Sequence, residues 1–140
     1  MSINEIQDEI ILEFSAFEDW MDKYAYLIEL GNSLPEMPNE YKTDKNLIDG
    51  CQSKVWFHAE YKDGKLFFHT DSDAIITRGI AYLLIKVLSG QSADNILNAD
   101  LYFIEKTGLQ QHLSPTRSNG LMSMIKQLKL YAIAYKSINK

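Results

Sequence analysis

The stretch SKVWFHAEYKDGKLFFHTDSDA, residues Ser53 to Ala74, decides the fold class. Two runs of period two flank Asp63-Gly64, a strong tight-turn signal, so the segment reads as an antiparallel hairpin. One face of its first strand carries Val55, Phe57, Ala59 and Tyr61, and the other carries Trp56, His58 and Glu60. The following DSDA supplies an N-cap, at Ser72 or a neighbouring aspartate, for a helix running through AIITRGIAYLLIKVLSG to Gly90.

On the amino-terminal side, Ile6, Ile10, Ile11 and Phe14 repeat at helical spacing, followed by Phe17, Trp20, Met21, Tyr24, Leu27 and Ile28. These series predict an acidic helical hairpin, stopped by GNSLPEMP, whose aromatic stripe belongs to the core. Residues Asn32 to Gly50 contain two prolines and little periodicity. They read as a long loop, either functional or disordered. On the carboxy-terminal side, SADNIL predicts a short helix, and Ser114-Pro115 opens a helical turn. The last helix, from about Gly120 to Ile138, places Leu121, Met124, Ile125, Leu128, Ala132 and Tyr135 on one side. The order of elements predicts an α+β fold, a small antiparallel sheet packed against helices.

A chain of 140 residues suffices for one core, so residues 1–140 are expected to form a single domain. The amino terminus MSINEIQDEI holds three acids and no base, unlike a targeting signal. No apolar run approaches the roughly 18–20 residues that span a bilayer. A lone cysteine argues against a disulfide scaffold and fits a reducing compartment, so the expected location is cytoplasmic with no membrane partner. The net charge of −5 conceals an asymmetry: acids dominate residues 1–50, while Lys106 to Lys140 contains bases and no acid. This pattern suits either solvated helical faces or docking of a charged partner. The bases are few and do not interleave with aromatics, which excludes nucleic acid.

Several chemistries are excluded by count. Three histidines and one cysteine show no zinc-ligand spacing, and one thiolate cannot carry an iron–sulfur cluster. No glycine-rich phosphate loop or nucleophile elbow is present. Cys51 remains, next to Gly50, which permits a tight turn and a projecting loop tip, with Ile48, Val55 and Trp56 as apolar shelter. Without a second thiol it cannot resolve a disulfide internally. A hydrolase would need a base beside it, from among His58, His69 and His112. The open alternatives are a small buried hydrophobe or a thiol that accepts a group from a partner and hands it on.

GCQSKVW, with LIELGNSLPEMP before it and DSDAIITRGIAYLL and QHLSPTRSNGLMSMI after it, resembles the SufE family of sulfur acceptors in iron–sulfur cluster assembly. The resemblance covers nearly the whole chain, in order. It implies the SufE/IscU type of fold, although the several cluster ligands of IscU are missing here. It places Cys51 on the family's persulfide-carrying cysteine. The implied protein is a covalent sulfur carrier and activator rather than an enzyme. Cys51 would take sulfur from a SufS-like cysteine desulfurase and pass it to a cluster scaffold such as SufBCD. No cofactor or metal is expected on this chain, pyridoxal phosphate belonging to the partner. Gly50, Gln52 and Ser53 would shape the loop, or be ordinary turn residues. Asp73 would hold that loop or cap the next helix. Arg117 is a candidate for contacting the partner or stabilising the thiolate, or else forms a structural salt bridge, and His112 is a candidate for a partner contact. A monomer or weak homodimer is expected. The rival readings are a CsdE-like paralogue serving another desulfurase, and an interaction module whose buried Cys51 is inert.

Overall fold

The structure, a computed structural model, describes residues 1–138. Helices α1 (Ile3–Ser15) and α2 (Trp20–Asn32) precede strands β1 (Val55–Lys62) and β2 (Lys65–Ser72). Then come α3 (Ile75–Leu88), α4 (Ala93–Asn98), α5 (Phe103–Lys106), α6 (Leu109–His112) and α7 (Pro115–Ile138). This is the α+β architecture that the sequence predicts, a two-stranded antiparallel sheet packed with helices.

The hairpin forms where alternation and turn chemistry agree. Asp63 (φ 55°) and Gly64 (φ 80°) both occupy the left-handed region, as a two-residue hairpin turn requires. That turn fixes the register from Val55 opposite Ser72 to Lys62 opposite Lys65. Val55, Phe57 and Ala59 are buried with Leu66, Phe68, Thr70 and Ser72, and β2 lies against the strongly apolar α3. Tyr61, assigned by alternation to this inner face, is partly exposed and stacks on Tyr135 near the turn of the hairpin.

The two amino-terminal helices pack less as a pair than as two covers for α3, and α2 takes the larger contact. Gly79 makes that possible, because a Cβ there would lie 2.2 Å from the Leu27 carbonyl oxygen. Phe17 falls in the turn between α1 and α2, and Met21 faces solvent, so the predicted stripe is narrower than its spacing suggested. In α1 the buried positions are Ile3, Gln7, Ile10 and Phe14. Gln7 is a fully buried amide, yet both ends of its side chain are satisfied. Its Nε2 donates to the Asp100 carbonyl (3.0 Å), and its Oε1 accepts from the Phe103 N–H (3.1 Å).

The loop expected between Asn32 and Gly50 is an ordered strap. Two short 3₁₀ turns, Asn39–Tyr41 and Asp44–Asn46, lie over the outer face of the hairpin. Tyr41 stacks on His58 at 3.8 Å and donates its hydroxyl to Glu60 (3.1 Å). Lys42 pairs with Asp71 at 2.9 Å, and Arg78 approaches the same carboxylate. Burial pushes the Asp71 carboxyl up, but the Lys42 hydrogen bond, the Ser72 N–H and the two cations outweigh it and hold it below its ordinary value. Leu47 then bridges to Trp56, and the Ile48 N–H reaches the Val55 carbonyl at 2.9 Å, beginning a third strand that stops at once.

Helix α7 closes the other edge of β1. Leu128 and Ala132 are fully buried, and the hydroxyls of Tyr131 and Tyr135 donate to the carbonyls of Phe57 (3.0 Å) and Ala59 (3.3 Å). The helix starts at Pro115, a turn and more before the predicted position. Ser114 makes the early start possible, its Oγ accepting from the Arg117 N–H and its carbonyl from the Ser118 N–H.

Candidate functional site

Cys51 sits at the tip of a loop pinned at both ends. At the entry, Ile48 is bonded to Val55. At the exit, Lys54 is held three ways. Its N–H donates to the Asp73 carboxylate at 3.0 Å, and its carbonyl accepts from the Ser72 hydroxyl at 2.8 Å and from the Asp73 N–H at 3.2 Å. Asp73 therefore acts on the loop. It does not cap α3, whose N-cap position is Ala74 without a side-chain bond, although the Ser72 hydroxyl accepts from the Ala74 N–H at 3.2 Å. Between the pins, Gly50 takes φ +88°, a conformation that L side chains rarely adopt, and turns the chain so that Cys51 points back towards α7.

The thiol rests on the second turn of α7, donating to the Gly120 carbonyl at 3.7 Å. Beside it opens a cavity of about 370 Å³. Gln52 and Ser53 line it from the loop; Ala74, Thr77 and Ile80 from the start of α3; and Ser114, Thr116, Arg117, Gly120 and Met124 from α7 and its approach. The sequence named Ile48, Val55 and Trp56 as the shelter. None of them lines this cavity, which is walled by helices distant in sequence. The cysteine is half-buried, and burial pushes its thiol above the ordinary value. At neutral pH the resting thiol is therefore protonated and a poor nucleophile.

Size does not single this cavity out. Hollows of about 420 Å³ beside the start of α1 and about 520 Å³ between the strap and α7 are larger. The Cys51 cavity alone of these three has a thiol in its wall. Among the described residues no group of three or more histidine, cysteine, aspartate or glutamate side chains is arranged to hold a metal ion. Within that same range no helix is long and apolar enough to cross a membrane.

Of the residues singled out from sequence, Gln52, Ser53 and Arg117 meet Cys51 at the cavity, with Gly50 adjacent in the loop. Arg117 is exposed at the rim. His112 is elsewhere. Its ring stacks on Trp20 at 3.8 Å, its Nδ1 lies 3.0 Å from the Gly108 carbonyl, and its own carbonyl accepts from the Tyr24 hydroxyl. It is a staple between α6 and α2, and it does not line the cysteine's cavity. Thr77, Gly120 and Met124 were missed. Gly120 gave no signal in the sequence, because the last helix was expected to begin about there; its place inside α7 emerges only from the fold.

A hairpin flanked by helices defines a small α+β fold, with one thiol at the tip of a pinned loop. The family described as "SufE: Fe-S metabolism associated domain" matches residues 8–132. An uncharacterised SufE-like protein of Rhizobium meliloti is 43% identical over 127 residues, covering 87% of this chain and 91% of that protein. The chloroplastic/mitochondrial SufE-like protein 1 of Arabidopsis thaliana is 36% identical over 126 residues, 89% of this chain but only 34% of that longer protein. The solution structure of a hypothetical protein from Thermus thermophilus shares the fold, with a TM-score of 0.78 at 20% identity, covering 94% of this chain and 96% of that one. The chain belongs to the SufE family, which ties it to iron–sulfur metabolism.

Proposed function

We propose that Cys51 accepts sulfane sulfur from a SufS-like cysteine desulfurase and carries it to a cluster scaffold such as SufBCD. The Cys51 thiol gives up its proton, and its thiolate attacks the terminal sulfur of the partner's persulfide. The partner's sulfur–sulfur bond breaks, its cysteine leaves as the thiolate and takes up a proton, and the new persulfide stands on Cys51. Clearing the donor cysteine frees the desulfurase for its next turnover, so the protein stimulates an enzyme without being one. Pyridoxal phosphate belongs to the partner in this reading. This chain needs no cofactor of its own and works in the cytoplasm.

The observation that carries the reading is the one thiol of the chain, held at the tip of a doubly pinned loop beside a cavity. Cys51→Ser should fold normally and lose all stimulation of a matched desulfurase, because no second thiol exists to substitute. Sulfide release by the desulfurase, with and without the variant, measures this. Full stimulation by the serine variant would make the protein an allosteric activator instead of a carrier.

A further inference from the structure

We propose that Gly120 is a positioning residue: by lacking a side chain it sets how closely the Cys51 thiol is parked against α7, and so how readily the loop presents it. The inference rests on the carrier reading of Cys51 and concerns the regulation of that same site.

The geometry is specific to two adjacent loop residues and two positions of one helix face. A Cβ built on Gly120 would lie 3.3 Å from Cys51 Sγ and 4.0 Å from its Cα and Cβ. The first distance is tighter than ordinary packing, so a methyl there displaces the sulfur by a few tenths of an ångström. One helical turn further on, Ser123 fills the space beside Gly50, where a Cβ would come within 2.5 Å of its Oγ. The loop tip is therefore laid flat on α7, thiol against Gly120 and backbone against Ser123. Glycine is a poor choice for the interior of a helix. Its place here answers to the thiol, whose hydrogen bond is to the carbonyl of this same residue. Any side chain at position 120 wedges between helix and sulfur, moves the thiol away from α7 and loosens that bond.

The test is alkylation of Cys51 by iodoacetamide in the free, full-length protein, comparing Gly120→Ala and Gly120→Val with the parent across pH. Arg117 is the one charged residue lining the cavity, so the pH profile reads chiefly the thiol's burial. Each unit by which the thiol pKa falls raises the thiolate fraction at neutral pH about tenfold. Alkylation should be about three- to tenfold faster in the alanine chain and faster again in the valine chain, with the midpoint of the pH profile moved down in both. Alanine is the better helix former, so thermal unfolding of Gly120→Ala should occur no earlier than in the parent, and it serves as the folded test case if valine unfolds the helix. Alkylation as slow as the parent's, or slower, in a folded Gly120→Ala chain overturns the proposal. Neither readout involves sulfur transfer. A parked thiol that fails to take sulfur would sink the carrier reading and leave this one standing.

Discussion

In its second half α7 buries Leu128 and Ala132 completely, sends two tyrosine hydroxyls to the carbonyls of β1 and pairs Lys136 with Asp94 at 2.6 Å. In its first two turns the same helix offers a glycine, a long thiol hydrogen bond and a cavity of about 370 Å³. One end is an anchor and the other is a bench on which a half-buried thiol is set down. Apolar burial is what stabilises a fold, and voids forfeit it. The void beside the thiol forfeits such burial locally, and the far end of the helix supplies it.

Substitutions in the anchor should thus change stability and leave the thiol alone. Leu128→Ala should have the largest effect, a loss of about 2–5 kcal/mol in denaturant unfolding, since it empties a fully buried site. Tyr131→Phe comes next, at about 1–2 kcal/mol, because it leaves the Phe57 carbonyl without its hydroxyl partner at a half-buried position. Asp94→Asn should cost under about 0.5 kcal/mol, its ion pair with Lys136 being largely exposed. At temperatures where each variant is folded, Cys51 should alkylate at the parent rate in all three. Accelerated alkylation in any of them would mean that anchor and bench are mechanically coupled, and the division drawn here would fail.

The hairpin and α3 were legible because local signals agreed with the final packing: alternation, Asp63-Gly64 and a long apolar run all pointed one way. The strap was not. Its order comes from Tyr41 on His58 and Lys42 on Asp71, contacts that no local pattern records. The first turns of α7 were hidden for a related reason. Residues 114–120, SPTRSNG, carry the composition of a loop, and the glycine that weakens the helical pattern is the one against which the thiol rests. Elimination narrowed the chemistry to Cys51 but left it either a small buried hydrophobe or an acceptor thiol, and only the resemblance to the SufE family implied its role. What surrounds it was not legible, because Ile80, Gly120 and Met124 are distant in sequence. His112, suited by its chemistry to a site, lies outside the cysteine's cavity and packs on Trp20, a contact equally invisible to local pattern.

The contact between Cys51 and Gly120 spans 69 residues. A ribosome makes the hairpin and α3 well before α7, and at ordinary elongation rates of about 5–20 residues per second the interval lasts seconds. During that time the hairpin can pair and α3 can begin to cover it, while the cysteine at the loop tip has no helix to lie against. The shelter of this thiol is thus acquired late in synthesis. A nascent chain exposes to the cell, for those seconds, the group that the finished protein keeps half-buried.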